Sequence, residues 1–380
     1  MFSFVNKNTR WILTSVVLAV FSVTAGCGEE TTSATPSTVA DAPDPVAETP
    51  PVSSYSGPGS NWHYDLNEDG SFEITRSPVV GVANDLVISG TYQTTAAGFL
   101  QMTVDASSGT DAPAVDSSLW ALEVPDYALF LSPASASDDR MIPMVQGGQC
   151  VGSDLGNNWI NVQARLSGDA TSPGGSYFGT FDFTASIGTS DLTRQFALSG
   201  GFAEQGPATL DPGFCTDGIM STATSDIYFS GTGAVMANAF ASDQDGGFLL
   251  LALPRTTIGS ISDYDGSYVG VLSDDGADAD QKVVPVSVTC AAGVCSGDVV
   301  TDISTGATAG QPFTADLFGT LNEPSPGFAT GIFSMGGGTG NIACMVDNNV
   351  QGTGRRMISC AGQSPIRGYP MLNLIMASTD

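Results

Sequence analysis

From Asn61 onward the apolar residues alternate with polar ones or form short runs, as in Asp85-Leu-Val-Ile-Ser-Gly90, Phe99-Leu-Gln-Met-Thr-Val104, Tyr177-Phe-Gly-Thr-Phe-Asp-Phe-Thr184 and Phe248-Leu-Leu-Leu-Ala-Leu253. Clusters of Gly, Asp, Ser and Pro bound these runs. A period of two places alternate side chains on opposite faces of a strand, and an unbroken apolar run suits a strand buried on both faces. No stretch beyond residue 27 carries a 3.6-residue period with caps, so the pattern predicts an all-β body.

The pattern also repeats. Tyr127-Ala-Leu-Phe-Leu-Ser132 matches Tyr268-Val-Gly-Val-Leu-Ser273, and Asp85-Leu-Val-Ile-Ser-Gly-Thr91 matches Asp226-Ile-Tyr-Phe-Ser-Gly-Thr232 at the same offset. Met141-Ile-Pro-Met-Val145 similarly matches Val283-Val-Pro-Val-Ser287. A period of about 140 residues is too long for a propeller blade or a solenoid turn. It predicts two tandem antiparallel β-sandwich or small β-barrel domains arising from an internal duplication, at 61–257 and 258–380. One continuous β structure with its first and last segments paired is the alternative.

Composition agrees. The chain has 46 Gly and only 11 Lys+Arg against 39 Asp+Glu, which disfavours helix bundles. A net charge of −28 leaves too few cations to displace counterions from phosphates, so nucleic acid is excluded as a partner.

The amino end reads as an address. Lys7 and Arg10 precede the apolar stretch Trp11–Ala25, which is shorter than the ~20 residues a membrane span needs. It ends in Thr24-Ala25-Gly26-Cys27. These residues resemble the type II signal peptide of bacterial lipoprotein precursors; the resemblance covers residues 1–27 only. It implies cleavage of residues 1–26, lipid attachment at the Cys27 thiol, and a chain held in the membrane by its acyl groups. Thr24 stands where such signals usually carry an aliphatic residue. No Asp follows the Cys, and the implied address is the outer membrane, on its periplasmic or cell-surface face. Residues 28–60 are rich in Pro, Ser, Thr and Ala, with almost no large apolar side chain. With Cys27 they are expected to form a lipidated, disordered tether at 27–60.

Six further cysteines in an exported chain point to disulfides. Cys290 and Cys295 flank a four-residue turn within hairpin reach, and Cys344 and Cys360 flank a Gly- and Asn-containing loop, as neighbouring strands would. Cys150 and Cys215 remain as a third pair.

Candidate chemistry is sparse. Asp65-Leu-Asn67-Glu-Asp69-Gly70-Ser-Phe-Glu73 matches the first half of a calcium loop, with Asp65, Asn67, Asp69 and Glu73 as oxygen donors for Ca²⁺. Arg76 occupies the place of the closing bidentate Glu, and an Asp69-Gly70 hairpin turn accounts for the same residues more simply. Trp62, Trp120 and Trp159 with Tyr127 and Tyr268 suit either a sugar-stacking surface or core packing. His63 is the sole His, which removes zinc-protease and haem-attachment motifs; it reads as a strand residue. No catalytic residue is singled out. The expected function is a membrane-anchored binding or adhesion module with a protein or glycan ligand. A structural component of the envelope, or an acid-pair hydrolase acting on envelope polymers, would also fit this composition.

Overall fold

Alternation of buried and solvent-facing side chains closes the first strands of the chain into a barrel. The computed structural model describes residues 53–57, 62–77, 83–132, 141–147, 150, 155–163, 176–184, 189–198, 201–210, 214–221, 225–230, 235–240, 247–255, 258–274, 282–317, 327–365 and 372–379. Strands β1 (Ser53–Gly57), β2 (Trp62–Leu66), β3 (Ser71–Arg76), β4 (Leu86–Thr94), β5 (Leu100–Gly109), β6 (Ser118–Val124), β7 (Ala128–Leu131) and β8 (Ile142–Gln146) form an antiparallel meander. The meander closes where Tyr55 and Ser56 of β1 pair with Gln146 and Val145 of β8. Closure removes both sheet edges. Tyr55, Trp62, Tyr64, Phe72, Ile74, Met102 and Met144 fill the interior, each almost fully buried. The barrel interior is therefore a hydrophobic core of packed side chains.

Ten strands follow: β9 (Leu155–Gln163), β10 (Ser176–Thr184), β11 (Thr189–Ala197), β12 (Glu204–Gln205), β13 (Ala208–Leu210), β14 (Phe214–Thr216), β15 (Ile219–Ser221), β16 (Ser225–Phe229), β17 (Val235–Phe240) and β18 (Gly247–Pro254). Their order in the sheet is β12-β11-β10-β9-β18-β17-β16-β15-β14, with β13 on β11. The first and last strands of this set pair, as in a barrel, but no pairing joins β12 or β13 to β14 among the described residues.

A 3₁₀ turn at Ile261–Tyr264 leads into a second closed barrel of β19 (Gly266–Asp274), β20 (Lys282–Ala291), β21 (Val294–Asp302), β22 (Ala307–Leu317), β23 (Phe328–Met335), β24 (Gly338–Asp347), β25 (Met357–Gly362) and β26 (Leu372–Ser378). Cys290 sits opposite Cys295 across β20–β21, and Cys344 opposite Cys360 across β24–β25. Both pairs are disulfide-bonded inside this barrel's core, and Cys150 bonds Cys215, so all three pairings follow the sequence expectation.

The chain is thus all-β, with two antiparallel barrel domains in tandem. Two expectations change in detail. The expected domain at 61–257 holds two bodies, most of the first barrel and the ten-stranded sheet, whereas 258–380 corresponds to the second barrel. The expected tether at 27–60 ends earlier, because Ser53–Gly57 forms β1. Tyr55 is the reason: its ring is wholly buried in the first barrel, and that burial holds a Ser- and Gly-rich segment in the sheet.

The duplication offset aligns hairpins, not whole barrels. It places β7–β8 of the first barrel on β19–β20 of the second, and β4 on β16 of the sheet. A shorter match marks the equivalent closing strands: Ser54-Tyr55-Ser56-Gly57 in β1 and Ser267-Tyr268-Val269-Gly270 in β19. In both, Tyr faces the barrel core and Gly lies against the closing strand. A Cβ on Gly57 would strike Pro143 O and Met144; one on Gly270 would meet Ile375 O at 2.5 Å and Met376 Cγ at 2.9 Å. Glycine is required at these positions by the close approach of a neighbouring backbone.

The strands with unbroken apolar runs explain how the bodies join. In β7, Leu129 and Leu131 face the first barrel's core, while Ala128 and Phe130 belong to a separate cluster on its outside. In β26, Leu374 and Met376 face inward while Ile375 and Ala377 face that same outer cluster. Phe178, Phe196, Leu251 and Leu253 of the sheet complete it. These strands are apolar on both faces because both faces are buried. The seam brings Thr49–Asp380 into one compact unit. Phe178 carries much of it, with ring centroids 5.5 Å from Phe196, 5.8 Å from Phe202 and 5.1 Å from Phe328 of the second barrel. A buried polar link crosses as well, Tyr127 Oη donating to Asp347 Oδ2 at 3.2 Å.

Candidate functional site

One place for a ligand lies on the surface between the barrels. At that junction the β4–β5 hairpin and the β6–β7 turn of the first barrel meet β19, the end of β26 and Arg355 of the second. They enclose a cleft of about 330 Å³, near the lower end of small-molecule sites. Thr94, Thr95, Ser378 and Thr379 line it with hydroxyls, Val124 and Val269 with apolar surface, and Glu123 and Arg355 with charge.

The local sequence positions Glu123. Leu119, Ala121 and Glu123 share one parity on β6, and the first two face the barrel core, so Glu123 stands at the lip of the barrel. Pro125 and Asp126 then turn the chain; Asp126 adopts φ 57°, and Tyr127 N–H bonds Val124 O at 3.0 Å. Proline followed by a residue in the left-handed region is the signature of a type II turn. From beneath, Tyr55 Oη donates to Glu123 Oε1 at 2.7 Å and accepts from Asp126 N–H at 3.3 Å.

The electrostatics are those of a tuned group. Burial pushes the Glu123 carboxyl above the usual range; the Tyr55 hydrogen bond and Arg355 oppose this, and Asp126 reinforces it. Burial likewise raises the Tyr55 phenol well above its ordinary value, followed by the charge of Glu123. A carboxyl held toward neutrality beside a guanidinium provides a switchable donor and acceptor next to a fixed donor fork.

The sequence-predicted residues lie elsewhere. Asp65, Asn67, Asp69 and Glu73 belong to the β2–β3 hairpin, where Asp65 and Glu73 are paired across the ladder. Asn67 donates its N–H to Ser71 O and its Nδ2 to Ser71 Oγ, Gly70 takes φ 81°, and Asp69 Oδ1 accepts from both Ser71 N–H (2.9 Å) and Ser71 Oγ (2.6 Å). The segment forms the Asp69-Gly70 hairpin, in which the Asn67 and Asp69 side chains bond Ser71 of the same turn. Among the described residues no group of three or more His, Cys, Asp or Glu side chains is placed to hold a metal. Trp62, Tyr127 and Tyr268 are buried, so they form core and not a stacking surface; Trp120 packs edge-on against Phe99 at 5.8 Å. Trp159 stands on β9. Asp263 caps the 3₁₀ turn, accepting from Gly259 and Ser260 N–H, and Asp265 accepts from Gly293 N–H. Cys27 lies outside the described residues.

Sequence reasoning missed Glu123 and Arg355 because only the seam brings them together. It also passed over a cluster around His63. Ser56 is directly opposite His63 across β1–β2, and Ser54 is opposite Asp65, so all four share the outward face. The alternation Ser-x-Ser and His-x-Asp in adjacent strands was the available signal.

No protein-family model and no curated protein sequence matches the chain. Among solved structures it is similar to a protein of unknown function from the DUF3598 family of Nostoc punctiforme, at 9% identity and a TM-score of 0.22, over 60% of this chain and 95% of that one. A score this low assigns neither fold nor function.

Proposed function

We propose that the chain is an outer-membrane lipoprotein, anchored through Cys27, which uses the cleft between its barrels to bind a small polar feature of an envelope or extracellular glycan or peptide. The supporting observation is the cleft itself, in which Glu123 and Arg355 from different barrels converge among four hydroxyl side chains. A hydroxyl-rich ligand matches that lining, since Glu123 and Arg355 offer an acceptor and donors while Val124 and Val269 cover apolar ring or side-chain surface. Lipid burial at roughly 0.8 kcal/mol per CH₂ would hold the module at the membrane.

The test has two arms. Metabolic labelling with a palmitate analogue should mark the chain, and Cys27→Ala should abolish the label. The detergent-purified full chain should bind members of a glycan and peptide array, and Glu123→Gln with Arg355→Ala should weaken that binding at least tenfold. Unlabelled chain would overturn the anchor; binding indifferent to the double variant would overturn the cleft.

A second reading draws on the raised carboxyl of Glu123 and the nearby charge of Asp126. Two carboxyl groups close together, one of them raised by burial, are the kind of pair that glycoside hydrolysis uses. Release of reducing ends from envelope polysaccharides, lost in Glu123→Gln, would favour it over simple binding.

A further inference from the structure

We propose that Ser56, His63 and Asp65 form a nucleophile–base–carboxylate relay on the outer face of the first barrel, able to transfer acyl groups from small uncharged esters. This inference does not rest on the cleft. Its basis is the geometry of the chain's sole His. Ser56 Oγ lies 3.2 Å from His63 Nδ1, and Asp65 Oδ1 lies 3.2 Å from His63 Nε2. Ser54 Oγ is a further neighbour of Nε2 at 3.3 Å. With Nε2 carrying the proton toward Asp65, Nδ1 is left as the acceptor for the Ser56 hydroxyl, the arrangement a general base requires.

Two further features support the assignment. Asp65 Oδ1 is shielded from solvent and makes no aligned hydrogen bond, so the contact with His63 stands at ion-pair distance only. Catalytic hydrogen bonds are often loose before substrate binds, and a charge forming on the imidazole would tighten this one. Burial would raise the Asp65 carboxyl, but His63 and Ser54 outweigh it and hold the group below the usual range, ionised at neutral pH. The close contact with Asp65 raises His63 above its ordinary value, against burial and with help from the charges of Asp65 and Glu73. Beside the nucleophile, Gly147 keeps space open: a Cβ there would stand 3.0 Å from Ser56 Oγ.

Ser56 Oγ bonds to the carbonyl carbon of the ester while its proton passes to His63 Nδ1. The tetrahedral adduct expels the alcohol, which takes that proton, leaving an acyl-serine. Water repeats the sequence, releasing the carboxylic acid and restoring the hydroxyl. The face is half-exposed and the chain carries a net charge of −28, so uncharged esters are the substrate class.

The experiment treats the full chain with a fluorophosphonate probe, maps the adduct by peptide mass, and follows hydrolysis of p-nitrophenyl acetate against pH. The expected result is one adduct on Ser56, absent in Ser56→Ala and His63→Gln. Hydrolysis should rise with pH through a midpoint above 6.5 and fall by about 100-fold in either variant. Asp65→Asn should lower the midpoint as well as the rate, which a merely structural carboxylate would not do. Gly147→Val should slow labelling while leaving the His63 titration in place. An unlabelled Ser56 in the unaltered chain, or hydrolysis unchanged in Ser56→Ala, would overturn the proposal. Because labelling and the pH profile are read on the unaltered chain, a variant that fails to fold does not rescue it.

Discussion

Phe178→Ala offers a direct test of whether the barrels and the sheet unfold as one body. Phe178 is wholly buried in the seam, with its ring against Phe196 and Phe202 of the sheet and Phe328 of the second barrel. Truncating a buried Phe to Ala costs about 3–5 kcal/mol through lost transfer and the cavity left behind, and the three ring contacts are contained in that figure. The compact unit Thr49–Asp380 spans roughly 330 residues, which at about 2.1 cal/mol/K per residue gives an unfolding entropy near 0.7 kcal/mol/K. The expected fall in Tm is therefore about 4–7 °C. Calorimetry should show it as a shift of a single endotherm, because the seam couples all three bodies. Val115→Ala is the control: Val115 is 54% exposed, and its truncation should stay within about 0.5 kcal/mol. A Phe178→Ala shift below about 1 °C, or two separate endotherms in the unaltered chain, would refute the reasoning.

Other outcomes follow from the same structure. Gly270→Ala places a methyl group against Ile375 O and Met376 Cγ; overpacking of this kind costs about 1–3 kcal/mol, and urea unfolding should show at least that much because the obstacle includes backbone. Burial raises the Asp347 carboxyl, against the hydrogen bonds from Asn349 N–H and Tyr127 Oη. The contribution of Asp347 to stability is thus complete below the unfolded value near 3.8 and is lost as pH rises through the higher folded value. Asp347→Asn should then gain on the unaltered protein in Tm as pH climbs from acid to neutral, and a gap that ignores pH would contradict the assignment. Mild reductant should open Cys150–Cys215 first, since Cys150 is exposed and the other two bridges are buried. Losing its closure of 65 residues removes about 4 kcal/mol in the chain-entropy account, against about 2 for Cys290–Cys295 and 3 for Cys344–Cys360. Alkylation mapping by mass spectrometry checks the order, and simultaneous opening of all three would count against it.

Particular residues show where reading the sequence stops. The cross-strand cysteines were legible because hairpin spacing is local: two thiols around a short turn have few other partners. The Asp69-Gly70 turn was legible for the same reason, although its acidic residues also suited a cation. Tyr55 was not, since one aromatic in a Pro- and Ser-rich stretch gives no hint of the barrel interior it enters. The repeat's offset aligns hairpins, whereas the shorter Ser-Tyr-x-Gly match marks how each barrel closes and is too brief to stand out from strand composition. Glu123 and Arg355 carry no shared motif at all.

The sequence by itself determined that the chain is built of strands, which thiols pair, and where turns fall, because each depends on alternation, spacing or backbone preference within a few residues. The tertiary structure alone decided how many bodies those strands make and which faces lie against one another. β7 and β26 are apolar on both faces, and nothing along the chain says whether such a strand is covered by a second sheet, a helix or another barrel. That choice is made by complementary packing between segments far apart in sequence, and it places Glu123 beside Arg355.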